Sequence, residues 1–216
     1  MDFSFLPKYQ NFFLDGMKYT LILAFFTVIL GSVFGLILTF LRLSNNKLLK
    51  FLGSAYVEFI RGTPLLLQLY VIYYGLPYIG IMLPDFSAGI VALSINSAAY
   101  ISEIVRAGIQ SVDKGQLEAA RSIGMKKPMA MRYIIIPQAV KTILPALGNE
   151  FITIIKESSI VSIIGIHDLM YNADTVRGNT FKVFEPLMIA ALLYFIMTFG
   201  LSKILGLFER RMQTSD

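Results

Sequence analysis

The chain has 216 residues, of which 56% are hydrophobic and only 15% charged. A water-soluble domain usually carries about a quarter charged residues, so composition points to the membrane. The absence of cysteine excludes a disulfide framework or thiolate metal site, and a single histidine, His167, argues against a histidine-built metal centre or acid–base catalyst. The net charge of +5 would suggest nucleic acid in a soluble protein, but here it falls in blocks between apolar runs, where it reads as topology.

Taken in order, residues 1–18 scatter Phe3, Phe5, Leu6, Tyr9, Phe12 and Phe13 among polar residues, which suits a short interfacial segment. They lack the basic start and small-residue cleavage site of a signal peptide. Five apolar spans follow, at about 19–42, 51–78, 86–106, 141–164 and 186–207, each long enough for a hydrocarbon core of about 30 Å. In the first, Gly31 and Gly35 share a face; they either admit another helix closely or are simply permissive. In the second, Glu58 and Arg61 lie three apart and partly neutralise each other, either snorkelling to the surface or facing a polar interior. Pro64 should kink or interrupt this helix and leave a carbonyl unpaired, with Gln68 one turn beyond.

The third span carries Asn96, Tyr100 and Glu103 at i, i+4, i+7, a single polar stripe that must face protein or water. Arg106 marks its edge. The fourth contains Pro145 and places Glu150, Thr153 and Glu157 on one face. A carboxylate near the bilayer centre costs about 2.5–3.5 kcal/mol. These carboxylates therefore line a polar cavity or pair internally with Lys156 or Arg61. Residues 165–185 form a polar loop with His167, Asp168, Asp174, Arg177 and Lys182, in which His167 reads as a surface residue.

Between the third and fourth spans lies the one substantial polar island, at about 107–138. Asp113 can cap a helix start, with Gln116 three residues on. Gly124 can end that helix in a left-handed conformation. Pro128 suits the first turn of a second short helix, and Pro137 suits a break before the next span. The island thus reads as two short helices with a bend, held outside the membrane. Basic residues alternate along the chain: Arg42, Lys47 and Lys50, then seven from Arg106 to Lys141, then Lys203, Arg210 and Arg211. The positive-inside rule puts the N-terminus outside and the C-terminus in the cytoplasm, consistent with an odd number of spans. There is no Gly-x-x-x-x-Gly-Lys-Ser/Thr and no nucleophile elbow, so the chain is not expected to hydrolyse anything itself.

Glu118-Ala119-Ala120, three residues, Gly124, nine residues, Ile134, one residue, Ile136 and Pro137 resembles the EAA signature of ABC importer permeases, with Ile136 where leucine is usual. Three further runs resemble the polar amino-acid branch: Glu58-Phe59-Ile60-Arg61-Gly62-Thr63-Pro64-Leu65, Ala99 to Arg106, and Gly148 to Ile152 followed by Lys156-Glu157-Ser158-Ser159-Ile160. The last departs from the more frequent Lys-Asp-Thr-Ser-Leu. Nearly the whole chain is covered, in order. The resemblance implies an all-α membrane protein of five transmembrane helices, the type I ABC importer permease, in the cytoplasmic membrane.

It further implies a non-enzymatic subunit that forms half of an amino-acid pathway. Its expected partners are two copies of an ABC ATPase that carries ATP-Mg, a second permease (the same chain or another) and an extracytoplasmic binding protein. The chain itself would bind no cofactor, metal or nucleic acid. Glu118, Ala119, Ala120, Arg121, Gly124, Lys127 and Pro137 would couple to the ATPase. Glu58, Asn96, Tyr100, Glu103, Glu150 and Glu157 are the candidate substrate residues. So many carboxylates favour a basic amino acid such as arginine, lysine or histidine; glutamine or glutamate is the alternative. From other classes, an ion-coupled secondary transporter would use the carboxylates as ion sites but usually needs more spans. A non-transporting assembly protein would use the stripes as interhelical glue.

Overall fold

The computed structural model describes residues 1–213, with side chains through Arg210; Arg211, one of the basic residues closing the chain, lies outside the described side chains. Among the described residues the chain is all-helical. The α-helices are α1 (Leu6–Leu43), α2 (Lys47–Arg61), α3 (Leu65–Tyr78), α4 (Asp85–Gln110), α5 (Lys114–Ser122), α6 (Lys127–Ala130), α7 (Ile136–Glu157), α8 (Leu169–Thr180) and α9 (Glu185–Gln213). A π-helical turn, Met131–Ile135, precedes α7 and a 3-10 segment, Ser158–Ile164, follows it. Three helices are long and apolar enough to cross a membrane: α1, α4 and the Glu185–Arg210 part of α9; α3 is a shorter apolar helix.

The separate interfacial segment expected at the N-terminus is instead the beginning of α1. Pro7 sits in its first turn, and no breaker follows, so 38 residues run as one rod of about 57 Å. Its early turns rest on α8. A Cβ at Gly16 would stand 2.8 Å from Leu169 Cα, and Asn172 Nδ2 donates to the Phe12 carbonyl at 2.7 Å. Further along, α1 meets α4 at Gly31 and Gly35. A Cβ at Gly31 would lie 2.9 Å from Ser97 Oγ, and one at Gly35 2.8 Å from Ile101 Cγ2 and 3.0 Å from the Ala98 carbonyl. The two glycines are therefore the close-approach surface, as in small-residue membrane packing.

The second apolar stretch divides at Gly62–Pro64 into α2 and α3. Asn46 caps α2 by accepting from the Leu48 and Leu49 amides at 2.9 and 3.4 Å. In the polar island, Asp113 Oδ1 accepts from the Gly115 amide at 2.7 Å and starts α5. Gly124 ends it at φ +87. The Met125 amide donates to the Ala120 carbonyl and the Gly124 amide to the Arg121 carbonyl, each at 3.1 Å, which together make a Schellman cap. Pro128 lies in the first turn of α6, as expected.

Pro137 does not break the chain. It is the second residue of α7, which grows directly out of the π-helical turn. Proline offers no N–H to the carbonyl four residues back. The turn ahead of it is widened, and the Ile136 amide reaches the Met131 carbonyl, five residues back. The loop expected at 165–185 contains helix α8. Asp168 caps it by accepting from the Tyr171 amide at 2.9 Å, and Leu169, Asn172, Ala173 and Val176 form its buried stripe against α1 and α9. The main core gathers Phe13, Ala24, Ile154, Ile155, Leu169, Ala173 and Val176 from α1, α7 and α8, with Ala190 and Met197 of α9.

Candidate functional site

Pro64 offers no N–H to the Ile60 carbonyl near the end of α2, which otherwise takes a long contact from the Thr63 amide at 3.4 Å, and Gln68 adds a shorter one. Its Nε2 donates to the Ile60 carbonyl at 2.7 Å, the Thr63 carbonyl at 3.1 Å and Thr63 Oγ1 at 2.9 Å. The carbonyl expected to be unpaired is therefore satisfied by a side chain one turn into α3. The amide's other end is equally engaged: Gln68 Oε1 accepts from Asn96 Nδ2 of α4 at 2.9 Å. Both side chains are buried. This bridge fixes the broken α2–α3 junction to the middle of α4. Sequence reasoning noted Gln68 beside the break but did not count it among the site residues, because its role depends on where α4 lies.

One turn from Asn96, Tyr100 is exposed, and the Arg61 guanidinium lies over its ring, 5.5 Å from the centroid. Next along the stripe comes Glu103, on which three arginines from three helices converge. Arg42 Nη2 of α1 is 2.9 Å away, Arg106 of α4 holds the carboxylate through Nε and Nη2, and Arg61 Nη1 of α2 stands off at 3.9 Å. Arg106 also donates to Gln110 Oε1 at 2.7 Å and Arg42 to Ser102 Oγ at 3.3 Å. Three cations face one anion, so the cluster carries two surplus positive charges. Glu58, one turn before Arg61, is exposed and forms no ion pair with it; among the described residues Arg61 turns to Glu103 instead.

On α7, Glu150 is half-buried. Its one hydrogen bond is with Ser97 Oγ of α4, at 3.3 Å, and it has no ion-pair partner among the described residues. Glu157, two turns further, is exposed beside Lys156. The six candidate residues thus fall into separate settings. Asn96 is locked to Gln68, Glu103 is matched by arginines, Glu58 stands at the surface, and Glu150 and Glu157 keep unmatched carboxylates. Tyr100 and Ser97, one helical turn apart on α4, bring the Arg61 and Glu150 sides together.

The α5–α6 hairpin projects its own surface. Glu118, Ala119, Arg121, Gly124, Lys127 and Pro137 are exposed, while Ala120 is buried and packs inward. Sequence reasoning missed three large side chains on the same unit, Ile123, Met129 and Tyr133, which are 79%, 49% and 64% exposed. No group of metal-ligating residues is found among the described residues.

The chain matches the family model of the binding-protein-dependent transport system inner membrane component over residues 13–214. It is 44% identical over 215 residues, all of both chains, to a probable glutamine ABC transporter permease protein of Bacillus subtilis. It is 41% identical over 217 residues to the arginine transport system permease protein of the same organism, covering 100% of this chain and 99% of that one. Among solved structures, one described as an amino acid ABC transporter with histidines aligns at TM-score 0.95 and 54% identity, covering 98% of this chain and 99% of that chain. An inward-facing methionine ABC transporter shares the fold alone, at TM-score 0.79 and 21% identity. Apolar helices long enough to span a bilayer and a match along almost the whole length agree: the chain belongs to the binding-protein-dependent transport system inner membrane components, as a multi-pass, non-enzymatic permease subunit of an amino-acid ABC importer.

Proposed function

We propose that this permease forms half of a pathway for a polar amino acid, with a basic one favoured, and that Glu150 receives the substrate's positive charge. The observation that carries the reading is the half-buried Glu150 carboxylate, which has a serine hydroxyl but no cationic partner among the described residues. Keeping such a group inside a membrane protein is costly unless something pairs with it. Glu157 extends the same acidic face. The relatives named for arginine and glutamine, and the solved transporter with histidines, support a substrate of this class.

In this reading the chain crosses the membrane five times, N-terminus outside, with its three basic blocks in the cytoplasm. A second permease completes the pathway, two ATPase subunits carry ATP-Mg, and an extracytoplasmic binding protein delivers the amino acid. The α5–α6 hairpin seats in the ATPase, with Glu118, Ala119, Arg121 and Lys127 at the contact. The glutamine reading stands second, favoured by the glutamine relative; an α-ammonium group alone can use Glu150.

The test is ATP-dependent uptake of labelled arginine and glutamine by proteoliposomes holding the permease, ATPase and binding protein. Lysine and histidine should block arginine uptake, and Glu150→Gln should lower it more than tenfold. Uptake blocked only by glutamine or glutamate would replace the cationic reading with the second one. Uptake of every cationic amino acid left intact by Glu150→Gln would remove Glu150 from the site.

A further inference from the structure

We infer that Arg61 is the anchor for the substrate's α-carboxylate, placed opposite Glu150; this inference rests on the amino-acid reading proposed above. Of the three arginines at Glu103, Arg42 and Arg106 are committed, at 2.9 Å and in a two-pronged contact respectively, and each also donates to a neighbour, Ser102 or Gln110. Arg61 is not. It stands 3.9 Å from a carboxylate that is already doubly matched, and its side chain is 44% exposed. It remains held in place, because Tyr100 supports the guanidinium plane from one side and α2 ends immediately behind it.

A guanidinium with a free edge, stacked on an aromatic ring, is suited to receive a carboxylate through two parallel hydrogen bonds. The cluster keeps a surplus of positive charge that the described residues do not neutralise. The position fits an amino acid. Tyr100, beneath Arg61, lies one helical turn from Ser97, which touches Glu150. Neighbouring positions on one helix face are about 5–6 Å apart at Cβ. A zwitterion lying along this part of α4 thus meets Arg61 at its carboxylate and Glu150 at its ammonium group. The helix break sets the register: Gln68 ties both the end of α2 and Asn96 to one place, so Arg61 is delivered at a fixed height along α4.

The intact importer complex in nanodiscs decides the matter by equilibrium binding, without the binding protein, whose own selectivity would mask the effect. The probes are L-arginine and L-glutamine against L-argininamide and L-glutaminamide, in which a neutral amide replaces the α-carboxylate. Neutral pH keeps the α-amine largely protonated in all four. The wild-type complex should prefer acid over amide by more than tenfold. Arg61→Gln should weaken the acid by that factor and leave the amide within about twofold, so that the preference vanishes; Arg61→Lys should keep part of it. Glu150→Gln should weaken acid and amide alike. A preference retained in Arg61→Gln, or equal weakening of acid and amide as a packing defect would give, would overturn the assignment of Arg61. A wild-type complex that binds none of the four would instead overturn the amino-acid reading itself, before any variant is made.

Discussion

Gln68 spans the gap that Pro64 opens. One amide satisfies two main-chain carbonyls of the α2–α3 junction and accepts from Asn96, so a single side chain sets the local backbone and orients a residue of another helix. Gln68→Leu keeps roughly the same bulk but strands the Asn96 amide and leaves the Ile60 carbonyl only the longer contacts from Thr63, at 3.3 and 3.4 Å. Stranding a buried polar group costs about 1–3 kcal/mol. The variant should melt several degrees lower in detergent and transport poorly, while Asn96→Ala, which leaves the carbonyls paired, should melt closer to wild type. Thermal unfolding of the two purified variants checks this order; equal melting would mean that Gln68 does not brace the break. Little of this was legible in the sequence. Pro64 announced an interruption because proline's effect is local. The partner that repairs the interruption is set by how α2 and α3 both pack on α4. The convergence on Glu103 was hidden for the same reason: Arg42, Arg61 and Arg106 come from α1, α2 and α4, and only the last is near Glu103 in the chain.

At the level of the elements, the α1–α4 pair is the axis of the bundle, and two glycines make it possible. With lipid on the outside there is no hydrophobic gain from pairing apolar helices, so close packing must hold them together. At Gly35 an added Cβ meets Ile101 at 2.8 Å and the Ala98 carbonyl at 3.0 Å. The side chain can yield, but the carbonyl belongs to the backbone of α4. Gly35→Val should therefore destabilise the subunit by about 1–3 kcal/mol, as overpacking does, whereas Gly200→Val, where a Cβ meets nothing within 4 Å, should leave the melting temperature near wild type. The stripe of small residues was readable because i, i+4 spacing defines a face without further knowledge. Helix α8 was not. Its buried set, Leu169, Asn172, Ala173 and Val176, includes a polar residue, and the surrounding charges made the stretch look like a loop. Its first turn depends on α1, where Thr20 Oγ1 accepts from the Leu169 amide at 3.1 Å. The unbroken run from α6 into α7 was also hidden, because Pro137 is accommodated by a π-helical turn.

On the scale of the whole molecule, a permease subunit without its own ATPase takes its work from a partner, and in the proposed function the α5–α6 hairpin is where force enters. The run from α6 through the π-helical turn into α7, the helix that carries Glu150, is unbroken, so in the proposed function a push on the hairpin reaches that helix directly. The bend at Gly124 sets the angle between the two short helices. It sits at φ +87, and an added Cβ would meet nothing within 4 Å. Substitution there would act through backbone conformation alone, with no clash to confuse the result. A β-branched residue disfavours the left-handed region by roughly 1–2 kcal/mol, enough to shift the hairpin angle without unfolding a bundle whose core lies elsewhere. Gly124→Val should therefore assemble with the ATPase and permit hydrolysis, yet import far less amino acid for each ATP consumed. Gly124→Asn, which tolerates the left-handed conformation better, should recover much of the coupling. The ratio of ATP hydrolysed to amino acid imported, measured in the same proteoliposomes for all three proteins, is the decisive quantity. A valine variant with the wild-type ratio would show that the hairpin angle does not transmit the ATPase's motion.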